Sequence, residues 1–191
     1  MKILGLDTST MISTCAVMEG NEIIGEYTIN QNMSHSEKLV PMIKELLDNL
    51  NLRPKDIDLY GVALGPGSFT GLRIGVGTVK TLAHLFDKPI VGISTLEALA
   101  YNLPYNKTIV PMIDARRNRV YTGIYTWQEE ELKTLKEEEA IEIEKLFEIL
   151  DDYEDIVISG DGSQVYKDVI RENLGDRIKV ATAGANICRA S

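Results

Sequence analysis

Cysteine is nearly absent from this 191-residue chain: Cys15 and Cys188 are the only two, too few for a disulfide framework. Cys15 lies in an apolar strand pattern, where a free thiol behaves as a small hydrophobe. The start, Met1-Lys2-Ile3-Leu4-Gly5-Leu6-Asp7, has too short an apolar run for a secretory signal. A reducing cytoplasm is therefore the expected location. No stretch approaches the roughly 20 consecutive apolar residues of a membrane helix, so no membrane association is expected. Histidine is as scarce. His35 and His84 fall in separate helical patterns, without a partner at ligand spacing, whereas protein metal sites of the zinc type use three or four ligands. Both are expected in structural or surface roles. Positive charge is in deficit, with 20 Lys and Arg against 29 Asp and Glu, a net charge of -9. That excludes the broad basic face of an independent nucleic-acid binder, so any RNA would be held mainly by something else.

Several catalytic signatures are missing too. The glycines between Gly65 and Gly71 are not followed by Lys-Ser or Lys-Thr, so they form no P-loop. Ser68 stands in Gly-Ser-Phe-Thr-Gly, but it directly follows Gly67, unlike the Gly-x-Ser-x-Gly elbow. No Ser, Asp and His set offers a nucleophile with a base. The acidic runs Glu129–Glu131 and Glu137–Glu139 read as a solvated edge and not as a metal site, because consecutive charges do not face one way on a helix.

Hydrophobic residues at 44% and charged residues at 26% describe a globular chain, long enough for one large domain or two small ones. Lys2–Leu6, Ser13–Met18 and Ile23–Ile29 read as strands with tight turns, an antiparallel meander. Ser34 with Glu37 forms a capping-box pattern ahead of a helix carrying Leu39, Ile43, Leu46, Leu47 and Leu50. Leu59–Leu64 is a strand. A second helix begins near Gly71, capped by Ser68 or Thr70, with Leu72, Val76, Val79, Leu82 and Phe86 on one face, and Ile90–Ile93 follows as a strand. Such an order predicts a mixed sheet under helices. The pattern breaks around Leu103-Pro104-Tyr105-Asn106-Lys107, which sets the expected domains at 1–103 and 104–191. The plan then partly repeats: strands at Thr108–Ile113 and Val120–Trp127 about a turn at Arg117-Asn118, a helix over Glu142–Leu150, a strand at Ile156–Ser159 ending in Gly160-Asp161-Gly162, and a helix over Val165–Asn173. Residues 183–191 read as a helix cut short.

The glycine-rich segment Leu64-Gly65-Pro66-Gly67-Ser68-Phe69-Thr70-Gly71-Leu72-Arg73-Ile74-Gly75 gives backbone freedom where a strand turns into a helix, and the exposed N–H groups of a helix start could hold an anion. Within the helix, Gly71, Gly75 and Gly77 each cost about 1 kcal/mol relative to alanine. A close neighbour must offset that: another helix of this chain, or a docking partner. Two amphipathic helices also carry more apolar surface than one sheet face needs.

With Gly5-Leu6-Asp7-Thr8-Ser9-Thr10 before it and Asp114-Ala115-Arg116-Arg117…Val120-Tyr121 after it, that segment resembles the TsaB (YeaZ) family across nearly the whole chain. This family is the bacterial paralogue of the threonylcarbamoyl transferase TsaD and was once labelled an M22-type glycoprotease. The resemblance implies a duplicated actin-like, sugar-kinase-like α/β fold (the ASKHA, ribonuclease H-like class) in two lobes. It implies a non-catalytic scaffold that works with TsaD and TsaE to make N6-threonylcarbamoyladenosine in tRNAs reading codons that begin with A. ATP and metal would sit on TsaD and TsaE, and this chain would have no cofactor of its own, meet tRNA only indirectly and form a homodimer when alone. The implied partner surface comprises His35, Leu39, Met42, Ile43, Leu46, Gly71, Leu72, Gly75, Val76 and Val79. The alternative is an independent glycoprotease-like or kinase-like enzyme.

The departures from the pattern point to a pseudo-enzyme with no catalytic residues. Actin-like ATPases bind phosphate at two turns in which a glycine stands two residues after an aspartate, so that backbone can approach the oxygen. Here Asp7-Thr8-Ser9 has Ser9 at that place and Asp114-Ala115-Arg116 has Arg116. Only Gly160-Asp161-Gly162 keeps the look of a nucleotide-side loop. The His-x-x-x-His pair of TsaD is also missing from the corresponding stretch, Ile93-Ser94-Thr95-Leu96-Glu97-Ala98.

Overall fold

The computed structural model describes residues 1–30, 35–103 and 107–191. Residues Met1–Thr95 with Cys188–Ser191 form one compact unit, and Leu96–Ile187 form a second.

The first unit opens with the expected meander: β1 (Lys2–Asp7), β2 (Ile12–Glu19) and β3 (Glu22–Asn30). β1 and β2 pair antiparallel from Lys2↔Glu19 to Asp7↔Thr14. After α1 (His35–Asn49) come β4 (Leu59–Gly65), α2 (Phe69–Phe86) and β5 (Ile90–Ser94). β4 adds parallel to β1, and β5 parallel to β4, which requires the helical crossover that α2 supplies. The sheet order is β3-β2-β1-β4-β5. Leu4, Leu6, Cys15, Val17, Tyr60 and Val62 from the strands meet Leu39, Met42, Ile43, Leu46 and Leu47 of α1 and Val79 and Ala83 of α2 in one core.

The second unit holds α3 (Thr95–Tyr101, which starts at the division), β6 (Thr108–Asp114), β7 (Arg119–Gln128), β8 (Glu131–Glu142), α4 (Ile143–Leu150), β9 (Ile156–Ser159), α5 (Asp161–Val165), α6 (Lys167–Leu174) and β10 (Ile178–Val180). Its sheet order is β10-β9-β6-β7-β8. Read from the other edge, this is the first sheet again: β6 takes the place of β1, β7 of β2, β8 of β3, β9 of β4 and β10 of β5, with the same antiparallel and parallel pairings. The repeat is thus complete, where the sequence pattern showed it only in part. β8 carries the second acidic run and the last residue of the first, Glu131, as an edge strand with mostly exposed side chains, and Glu129 and Glu130 form the turn before it. Its strand character has no alternating signature because charged side chains protect an edge. The expected helix over Val165–Asn173 is two helices meeting at Tyr166.

Two expectations change. The proposed boundary at 103/104 adjoins residues 104–106, which lie outside the described residues. The division instead follows Thr95, because α3 buries Leu96, Leu99 and Ala100 and Leu99 Cδ1 lies 3.3 Å from where a Cβ on Gly160 would stand. Residues 183–191 are a turn and an extended tail, not a helix. Nine residues with Gly184 among them make a poor isolated helix, and this tail spends its groups on the first sheet. Arg189 forms a two-pronged ion pair with Glu26, Ser191 Oγ donates to Glu26, and the Ala190 carbonyl lies so close over Gly5 that no Cβ would fit there.

Candidate functional site

Equivalent strands β1 and β6 end in equivalent aspartates, and both aspartates fold back on their own turns. In the first unit the Ser9 N–H donates to Asp7 Oδ1 at 2.7 Å and the Ser9 hydroxyl donates to the same oxygen at 2.6 Å. In the second unit the Arg116 N–H donates to Asp114 Oδ1 at 2.9 Å. The amide two residues past the aspartate, the one a phosphate oxygen would need, is in each half consumed by the aspartate itself.

The glycine-rich segment closes the first turn further. The Ser68 N–H donates to the Ser9 carbonyl at 2.6 Å, and a side chain at Gly67 would collide with that carbonyl. Thr8 Oγ1 donates to the Gly71 carbonyl at 2.8 Å, and a Cβ at Gly75 would stand 2.5 Å from Thr8 Oγ1. Asp7, Thr8 and Ser9 are buried as a result. The close neighbour that Gly75 requires is Thr8 of the Asp7–Ser9 turn, whose side chain also holds the Gly71 carbonyl. Ser68 caps α2, its Oγ accepting the Gly71 N–H at 3.3 Å. The Ser9 hydroxyl also approaches Cys188 Sγ at 3.8 Å, a contact no local pattern could have announced across 179 positions.

In the second unit Asp114 gathers more partners. The Tyr166 hydroxyl donates to its Oδ1 at 3.2 Å, and Arg116 Nε lies 3.6 Å from Oδ2. The Asp114 N–H donates to Asp161 Oδ1 at 3.1 Å. Burial pushes the Asp161 carboxyl above the usual carboxylate range, and the Asp114 carboxylate adds to that, against the N–H groups of Asp114 and Gly162. The glycines around Asp161 serve packing: a Cβ at Gly160, whose φ is +87°, would strike the Met112 carbonyl, and one at Gly162 would come to 3.0 Å of it. The loop with the nucleotide-side look is thus held against β6 by its own chain. Tyr166, reaching Asp114 over 52 positions, escaped the sequence reading.

Most of the residues expected at a partner surface are buried. Leu39, Met42, Ile43, Leu46 and Val79 are core residues with 0–4% of their surface exposed, and Gly71 and Gly75 are buried against the turn. Leu72 and Val76 are half-buried. Ser34 and the side chain of His35 lie outside the described residues. The outer side of α1 and α2 instead presents a groove of about 180 Å³ lined by Val40, Ile43, Lys44, Leu47, Leu52, Thr78 and Leu82 among others. His84 is exposed in the last turn of α2. Among the described residues no group of three His, Cys, Asp or Glu side chains is placed to hold a metal, and no helix is long and apolar enough to cross a membrane.

A family model described as TsaD, tRNA N6-adenosine threonylcarbamoyltransferase, matches residues 22–191. The tRNA threonylcarbamoyladenosine biosynthesis protein TsaB of Bacillus subtilis (strain 168) is 34% identical over 193 residues, taking in 100% of this chain and 84% of that protein. The chain belongs to the TsaB family. A solved structure from Pseudomonas aeruginosa, described as an uncharacterized protein with similarity to peptidase YEAZ, superposes with a TM-score of 0.81 at 25% identity, covering 99% of this chain and 86% of that one. Component A of (R)-2-hydroxyglutaryl-CoA dehydratase from Acidaminococcus fermentans superposes with a TM-score of 0.53 at 13% identity, covering 95% and 92%; at that identity the likeness is one of fold alone. The TsaB-family chain therefore has the duplicated, actin-like α/β fold, built here as two five-stranded sheets of one topology. The three segments that carry the family resemblance are the two aspartate turns and the loop that closes the first of them.

Proposed function

We propose that this chain is a non-catalytic scaffold subunit in the making of N6-threonylcarbamoyladenosine in tRNA, acting in the cytoplasm with a TsaD transferase and a TsaE ATPase that bring the nucleotide and metal. The observation that carries the reading is the pair of self-closed turns: Asp7 with Ser9, and Asp114 with Arg116, use internally the backbone donors that an actin-like ATPase would offer to phosphate. Titration calorimetry of the isolated chain with ATP and magnesium is expected to give no heat at sub-millimolar concentration. A dissociation constant near 10 μM, about -6.8 kcal/mol, would sink the reading.

The groove between α1 and α2 is the proposed docking face for the transferase, or for a second copy of this chain when alone. Gly77 supports it. This glycine sits exposed in the middle of α2, and a Cβ there would meet nothing within 4 Å. Unlike Gly75 it has no neighbour within the chain that requires glycine, although it costs about 1 kcal/mol in a helix; close approach by a partner supplies a reason. Gly77→Ala is accordingly expected to stabilise the isolated chain by about 0.5–1 kcal/mol in urea unfolding while weakening association with the transferase. Tighter association in the variant would move the docking face elsewhere.

A further inference from the structure

The turn between β6 and β7 concentrates cationic charge in a chain of net charge -9: Arg116, Arg117 and Arg119 fall within four positions. Their engagement is unequal. Arg119 Nη2 donates to the Ala140 carbonyl at 2.7 Å and is committed to the β7–β8 pairing. Arg116 is 88% exposed and only grazes Asp114. Arg117 is exposed, and among the described residues no hydrogen bond, ion pair or ring contact engages its guanidinium.

The backbone at this turn is expensive. Arg116, Arg117 and Asn118 are consecutive left-handed residues, with φ of 65°, 54° and 58°. Asparagine tolerates that region and glycine is at ease in it; arginine has no such excuse. The turn is fixed by the Arg119 N–H to the Arg116 carbonyl and the Ala115 N–H to the Arg119 carbonyl, bonds that glycine or asparagine would make as well. Strain held in place while its side chains stay unspent marks a functional position. Arginine in particular offers a planar fork that bonds phosphate through two N–H groups at once.

We propose that this turn is a phosphodiester-binding tip, in which Arg116 and Arg117 grip the sugar–phosphate backbone of the RNA that the assembly modifies. The inference rests on the scaffold reading above for the identity of its polyanion. It adds one direct, sequence-independent contact to a chain whose acidic surface leaves the bulk of the RNA to other subunits. Its contribution is consequently confined to one or two phosphates.

The test uses the assembled complex of this chain with its transferase and ATPase, and a labelled tRNA anticodon stem–loop whose binding is followed by fluorescence anisotropy across a salt series. Replacing both residues, Arg116→Ala with Arg117→Ala, is expected to weaken binding about fivefold or more at low salt and to flatten the dependence of log K on log salt by about 0.7–0.9 per phosphate lost. Arg117→Lys should keep the salt slope, because the charge remains, and lose part of the affinity, because the two-pronged fork is gone. Arg117→Gly should raise the thermal midpoint by relieving the left-handed strain and still lose RNA affinity, which a merely structural arginine would not do. Unchanged affinity and salt slope overturn the inference. So does a loss that gel filtration traces to failed assembly, since the tip is then a contact with an acidic protein surface. If the wild-type chain forms no complex, the scaffold reading fails by itself; the tip is then read in the isolated chain from the backbone amide shifts of residues 116–119 on adding the stem–loop at about 20 mM salt, where screening is weak. Silent amides there overturn it.

Discussion

Leu39→Arg is expected to unfold the amino-terminal unit, whereas Val40→Arg, one residue away, leaves it folded. Leu39 is fully buried in the core between α1 and the first sheet. An arginine there loses the packing of a buried leucine, about 2–5 kcal/mol, and strands a cation without a partner, at about 3–5 kcal/mol more. Together these reach the whole stability of a typical domain, about 5–15 kcal/mol. Val40 is 58% exposed and lines the outer groove, where a substitution stays within about 0.5 kcal/mol. Far-ultraviolet circular dichroism and the urea midpoint separate the two. A Leu39→Arg chain with the wild-type midpoint would mean that α1 does not pack as described.

The second large effect concerns turnover. In a mixture of threonine, bicarbonate, ATP, tRNA, the synthase that makes the threonylcarbamoyl-adenylate, TsaD and TsaE, leaving out this chain is expected to abolish incorporation of labelled threonine into tRNA, and Val40→Arg is expected to mimic the omission. A subunit that touches no reacting atom can still do this by favouring one arrangement of a neighbouring enzyme, to the extent that it binds that arrangement better. The chain alone should give no incorporation. Full turnover without it would refute the scaffold role; turnover by this chain without TsaD would reveal an active site that the closed aspartate turns do not explain.

Much of this architecture is legible before any coordinates. The meander, the capped α2 and the strand at Ile156–Ser159 follow from alternation, helical spacing and glycine placement, because local periodicity is what a pleated strand or a helix imposes on its own segment. β8 was not legible, since an edge strand facing water on most of its length has no hydrophobic alternation to betray it. The helical face of α2 is legible only in part for a related reason. Val76, Val79 and Leu82 pack on the core as their spacing predicts, but the most deeply buried line is Gly71, Gly75, Val79 and Ala83. A turn that must sit close to the helix selects small residues, and small residues carry no hydrophobic signature.

The family resemblance, most elements of the first unit and the loss of glycine at both phosphate turns are written in contiguous residues and can be read without coordinates. What fills the vacated role depends on how the chain folds. Ser9 and Arg116 turn their amides onto Asp7 and Asp114, Gly67 and Ser68 close over the first turn, and Tyr166 and Asp161 settle around the second. Within residues 183–191, read locally as a helix, the end at Cys188–Ser191 is an extended strap that Glu26 and Gly5 receive. Apart from the two aspartate-to-amide bonds, which span two residues each, these are contacts between segments tens of residues apart or more, and such contacts depend on how chain-distant surfaces meet, a quantity with no local period to read.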